Sequence, residues 1–196
     1  YIDHSIQSDK ESIWIAQLDG RAIDGNDLTD PAVLKMLYLS NRKLLQVQDW
    51  VKSVNLTPIC ISYEYDPLDI IKAFGWAGWE ELSDQENNRR DLSEMVKGIK
   101  DPKGRVHLHI CKSIEGNCST IEELAELIDK AIISNYKLWP SNYIAAHTLD
   151  LIAKEENNFM NEEISFLERF KDLDIEVRKK VLEMYAAPLI NSKQRG

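Results

Sequence analysis

Ser12-Ile-Trp-Ile-Ala-Gln-Leu-Asp-Gly-Arg-Ala-Ile-Asp-Gly-Asn-Asp27 is the stretch on which the fold reading turns. Ile13, Trp14, Ile15 and Ala16 are apolar without alternation, the pattern of a parallel strand covered on both faces. A loop follows at once and holds Gly20, Arg21, Gly25 and three acids, Asp19, Asp24 and Asp27. In an open α/β sheet, ligands gather at the carboxyl ends of such strands. An arginine directly after a glycine at that place is a candidate anion clamp, since a guanidinium fork binds two phosphate oxygens at once. The plainer alternative is a solvated loop arginine paired with Asp19 or Asp24.

Working outward, Tyr1 to Ser8 reads as the end of a helix and Asp9-Lys10-Glu11 as the turn into the strand. The chain opens with Tyr rather than Met, and the spacing of Tyr1, Ile2 and Ile6 is already that of an amphipathic helix. A start in mid-domain is the expectation. Downstream, Asp30-Pro31 predicts a helix start, with Asp as the cap and Pro at the first helical position. A second helix is expected over about Leu44 to Val54, then a strand over Leu56 to Tyr65. Pro58 can stand only at the beginning or on an edge of that strand, because it lacks a ladder donor. Asp66-Pro67 opens another helix through Ile70, Ile71 and Phe74, and Asp91 to Ile99 a further one. Arg105 to Cys111 alternates strictly and predicts a third strand. Thr120-Ile-Glu-Glu123 is a capping-box pattern that opens a helix running towards Trp139, which Pro140 stops. From Ser141 onward only helix is expected.

This order of elements predicts an α/β fold: a parallel or mixed sheet flanked by helices, incomplete at its N-terminal side, with an all-helical C-terminal tail. Residues 1–140 form the α/β unit in this reading and residues 141–196 a helical extension. The 196 residues fit one domain with such an appendage. Net charge is −9, which argues against a general nucleic-acid binder. Cys60, Cys111 and Cys118 are odd in number and lack paired spacing, so free thiols in a reducing compartment are expected. No apolar run reaches the length of a membrane span.

Three segments together carry a resemblance: Trp14 to Asp27, Thr57-Pro-Ile-Cys-Ile-Ser-Tyr-Glu-Tyr-Asp-Pro67, and Gly104-Arg-Val-His-Leu108. They resemble the phospholipid/glycerol acyltransferase family, and more narrowly its bacterial 1-acylglycerol-3-phosphate acyltransferase-like branch. Tyr1-Ile-Asp-His-Ser-Ile6 and Leu138-Trp-Pro-Ser-Asn-Tyr-Ile-Ala-Ala146 fit the same branch, so the likeness spans about residues 1 to 146. It implies transfer of a fatty acyl group from acyl-CoA or acyl carrier protein to a glycerophosphate or lysophosphatidate-type acceptor, with no cofactor. In that family a His-x-x-x-x-Asp motif supplies the base and its orienting acid. The acceptor-phosphate block corresponds here to Asp19, Gly20 and Arg21, with Asp in place of the family's Glu. Pro58 falls in a second substrate-binding block, where Thr57 replaces an apolar residue. The resemblance further implies a cytoplasmic enzyme with possible peripheral contact to the inner membrane. The alternative from another class is a non-catalytic lipid- or acyl-carrier-binding module of the same fold.

The catalytic motif is expected upstream of Tyr1, leaving this chain inactive on its own. His4-Ser-Ile-Gln-Ser-Asp9 matches the spacing. In a continuous helix, however, five residues advance about 500° and leave the two side chains roughly 140° apart, so a pair is not expected. His107, His109 and Cys111 project from one sheet face and could offer zinc ligands. Opposite them Val106, Leu108 and Ile110 read as an ordinary core face. Asp24 to Asp27 offers hard oxygens but lacks EF-hand spacing, so a capped turn is preferred to a metal loop. Cys60 reads as an apolar filler. Phe74, Trp76 and Trp79 read as core packing beneath a loop, with a membrane-facing patch or acyl tunnel as the sharper alternative.

Overall fold

The computed structural model describes residues 1–18, 26–76, 84–153 and 159–195. The molecule is mostly helical (54%) and its sheet has two strands. Local sequence signals set the helix ends. The first helix, α1 (Ile2–Gln7), closes where the amides of Ser8 and Asp9 both turn onto the His4 carbonyl. In α2 (Pro31–Tyr38) the Asp30 carboxylate accepts from the Ala32 amide at 2.7 Å and proline takes the first helical position. Next, α3 (Val47–Ser53) buries Val47, Trp50 and Val51, the spacing of one helical face. It ends in a Schellman turn: Asn55 adopts φ +50°, its amide reaches Lys52 O, and the Leu56 amide reaches Val51 O. Leu34, Trp50, Val51, Leu124 and Ile128 lie in one apolar core that these helices share with α6 (Ile121–Asn135).

Strand β1 (Ile59–Tyr63) follows Pro58, which occupies the tolerated position at the strand's start. Helices α4 (Asp69–Trp76) and α5 (Asp84–Lys100) lead from it to β2 (Val106–Ile110). The strands pair antiparallel, with Ile59 opposite Ile110, Ile61 opposite Leu108 and Tyr63 opposite Val106. This corrects the expected parallel or mixed sheet. A crossover with two helices in it can return the chain to the end of β1 that it left. The amides of Glu64 and Tyr65, which bond Arg105 O and Lys103 O, show that it does so here.

The opening stretch is corrected as well. Ser12–Gln17 belongs to no strand among the described residues, and Ser12 to Ala16 are exposed. Four consecutive apolar residues call for burial, but they do not specify which backbone will complete their ladder.

Thr120 caps α6 as its sequence predicts: its hydroxyl accepts from the Glu123 amide at 3.1 Å. The Glu123 carboxylate reaches back to the Ser119 amide, one residue before the cap. The helices after Ser141 are α7 (Pro140–Thr148), α8 (Met160–Glu168) and α9 (Ile175–Arg195). They share a second core with α4, in which Ala73, Phe166, Phe170, Val177, Val181 and Tyr185 are buried together. A second Schellman turn ends α7, with Asp150 at φ +55°. Among the described residues, no helix is long and apolar enough to cross a membrane.

Candidate functional site

Among the described residues, a mostly apolar cavity of about 810 Å³ stands out. That is within the range of pockets that hold small ligands (about 300–1,000 Å³). Ser12 to Gln17, Leu56 to Ile59 and Ile61 all line it. Ile2 and Ile6 of α1, Leu34 and Leu37 of α2, and Ile128 and Ile132 of α6 close the remainder. The expected strand and β1 therefore border the same cavity, and among the described residues no ladder joins them. Pro58, one of the residues expected to bind substrate, is buried in the cavity wall, and its carbonyl accepts from the Cys111 amide at 3.0 Å.

Asp19, Gly20 and Arg21 lie outside the described residues, as do Asp24 and Gly25 of the weighed metal loop. The two ends of their loop are described, and polar contacts hold them. The Gln17 side-chain amide donates to Asp27 O at 2.9 Å, and the Asp30 amide donates to Gln17 O at 2.9 Å. Thr29, almost fully buried, donates from both its amide (2.8 Å) and its hydroxyl (2.6 Å) to Asp129 Oδ1 on α6. Gln17 and Thr29 both line the cavity. The described residues on either side of Arg21 thus border the cavity.

Tyr136, which follows α6, was not singled out by its sequence. Desolvation pushes its phenol above the usual value, and Cys60, Asp66 and Asp27 add to the shift. No motif marks such a residue, because the groups around it are distant from it in sequence.

No family model, no curated protein and no solved structure matches the chain.

The remaining sequence candidates are placed as follows. His4 and Asp9 do approach one another, with Nε2 and Oδ1 3.7 Å apart, contrary to the helical arithmetic. The reason is that α1 ends at Gln7 and the turn at Ser8 and Asp9 wraps back onto His4. Both side chains are largely exposed, and neither lines the cavity. His107 and His109 stack with ring centroids 6.2 Å apart, while the Cys111 thiol donates towards Ala131 O at 3.6 Å. Among the described residues no group of three or more His, Cys, Asp or Glu side chains is placed to hold a metal. Phe74 packs against the second core, in line with the plainer reading; Trp79 lies outside the described residues.

The faces of the sheet are the reverse of the expectation. Cys60 and Ser62 are buried, with His107 and His109 half-buried beside them. Val106, Leu108 and Ile110, expected in the core, are exposed together with Ile61 and Tyr63. A period of two shows which residues share a face but not which face turns inward. The buried side carries unusual polar atoms: Ser62 Oγ and His107 Nδ1, on directly paired residues, each lack a hydrogen-bond partner among the described residues.

Proposed function

We propose that this chain is the acceptor-binding part of a glycerolipid acyltransferase. Its acyl donor is acyl-CoA or acyl carrier protein, and its acceptor is a glycerophosphate or lysophosphatidate-type molecule. The observation that carries the reading is the position of the cavity. A mostly apolar chamber of about 810 Å³ has Pro58 in its wall and is bordered by the described residues on either side of Asp19-Gly20-Arg21. An acceptor with a phosphate head and an acyl tail asks for these two chemistries side by side. The guanidinium of Arg21 would take the phosphate through two parallel hydrogen bonds, and the cavity would take the acyl chain by burying apolar surface. The sequence likeness described above supports the same assignment.

In this reading the base and its orienting acid come from a His-x-x-x-x-Asp motif upstream of Tyr1. The exposed His4–Asp9 contact is not that dyad, since neither residue borders the cavity. Work at the cytoplasmic face of a membrane, in peripheral contact with it, follows from the acceptor's chemistry.

The test is calorimetric titration of the 196-residue chain with a short-chain lysophosphatidate below its micellar concentration. Saturable binding is expected, weakened about ten-fold by Arg21→Lys and more by Arg21→Ala. In the complete enzyme Arg21→Lys raises the acceptor KM or lowers kcat. Unchanged binding by both Arg21 variants would overturn the assignment, and so would acyl transfer by the isolated chain at a rate that His4→Ala abolishes.

A further inference from the structure

Two apolar faces of this chain are turned outward, and they differ in shape. On α5, Leu92, Met95, Val96 and Ile99 are 44 to 77% exposed, at the spacing of a single helical stripe. The opposite side of the same helix carries Gly98, which rests against Leu68 at the distance of an ordinary van der Waals contact, and the half-buried Glu94. Over residues 92–100 the helix therefore turns Gly98 and Glu94 inward and its apolar stripe outward. The sheet does the same. Ile61, Tyr63, Val106, Leu108 and Ile110 form a continuous outer face, 37 to 64% exposed, while Cys60 and Ser62 point inward.

We propose that these two faces cover one another in a symmetric dimer, with α5 of each copy lying across the outer sheet face of the other. A ridge of four side chains on a helix and a flat two-stranded apolar surface are the complementary shapes of helix-on-sheet packing. One chain carries both, and in a two-fold arrangement the helix of each copy meets the sheet of the other, so that assembly closes. The area is sufficient. The nine exposed side chains of the two faces together offer roughly 800 Å² per protomer, the amount that one partner buries in a specific interface of standard size. The charges permit it as well. Lys97, beside the stripe, is already paired with Asp101, and Arg105, at the start of β2, is paired with Glu64, so closure strands neither charge. This inference is independent of the acyltransferase reading.

Light scattering on the eluting 196-residue protein tests it. Twice the 22.6 kDa chain mass is expected. Ile99→Glu and Leu108→Glu, both at exposed positions, should each give a monomer whose circular dichroism melting curve matches the wild type. Mixed together, these two variants should dimerise again, about ten-fold or more weaker than wild type, because one helix-on-sheet contact then stays intact. A wild-type monomer at all accessible concentrations would overturn the proposal. So would a dimer that Leu108→Glu breaks and Ile99→Glu leaves whole, since that result means sheet against sheet. A monomer that floats with anionic vesicles would assign the same faces to a lipid surface instead.

Discussion

The Tyr185 hydroxyl donates a 2.8 Å hydrogen bond to Asp69 Oδ2 and accepts another of 2.8 Å from the Asp66 amide. The same carboxylate oxygen takes the Arg169 guanidinium at 2.6 Å, so α9, the start of α4 and the end of α8 meet on one buried acid. Burial is the largest influence on Asp69 and pushes its pKa up; Arg169 and then Tyr185 pull against it. A carboxyl whose folded pKa is raised binds more protons folded than unfolded. It therefore withdraws stability as pH rises from the ordinary carboxylate value through the folded one. Tyr185→Phe removes a bond that favours the charged form. We expect a loss of about 2 kcal/mol, larger at neutral pH than in acid, read from urea denaturation at both.

Glu64 behaves in the opposite sense. Its Oε1 accepts from Arg105 Nη2 at 2.8 Å, while Oε2 accepts from Arg105 Nε at 3.0 Å and from the Arg105 amide at 2.9 Å. These hydrogen bonds from Arg105 hold the carboxyl below its usual range. Its stabilisation is complete above the ordinary glutamate pKa and is lost as pH falls through the lowered folded value. Glu64→Gln should cost about 1 kcal/mol at neutral pH, modest because the Arg105 side chain is half exposed. The gap from wild type should close in acid. A gap that stays constant with pH would mean that the ion pair contributes nothing.

Gly116 stands at φ +78°, and a Cβ built there would come 2.5 Å from the Gln48 carbonyl oxygen. That oxygen belongs to α3 and has little freedom to retreat. Gly116→Ala should therefore destabilise by about 2 kcal/mol or more, combining a left-handed backbone with a clash. Thermal melting will show it, and a melting point equal to wild type would mean that the loop simply shifts.

The three cysteines are buried, and desolvation raises each thiol, Cys60 up to about 11 with help from neighbouring Cys111. Thiolate is the reactive form. In native buffer near neutral pH a thiol reagent should label none of them within minutes, and all three after denaturation. Rapid native labelling of one thiol would place that residue at the surface.

Features that depend on neighbours in sequence were legible; features that depend on partners distant in sequence were not. Asp30 with Pro31, Thr120 with Glu123, and Pro58 at the head of β1 act within one turn or at one strand end, and each stands where its chemistry predicts. The run Ile13 to Ala16 announced a buried strand but could not name the strand that would pair with it, and the structure leaves these residues exposed along the cavity. Likewise the alternation from Val106 to Ile110 defined two faces while leaving open which one the helices would cover. His4 and Asp9 were misjudged because the arithmetic assumed a helix that continues beyond Gln7. Of the candidate site, Pro58 was named only through the resemblance, as a substrate-binding residue, and the structure places it in the cavity wall. The cavity itself was not legible, since five separate segments build it.

The contacts on either side of Arg21 have a consequence for how this protein can change. Gln17 and Asp27 are clasped together, and Thr29 is fastened to Asp129, by contacts that use none of residues 19–25. Substitution between these fixed points leaves both contacts their own partners. A lineage could exchange the sequence of that interval while inheriting both fastenings unchanged.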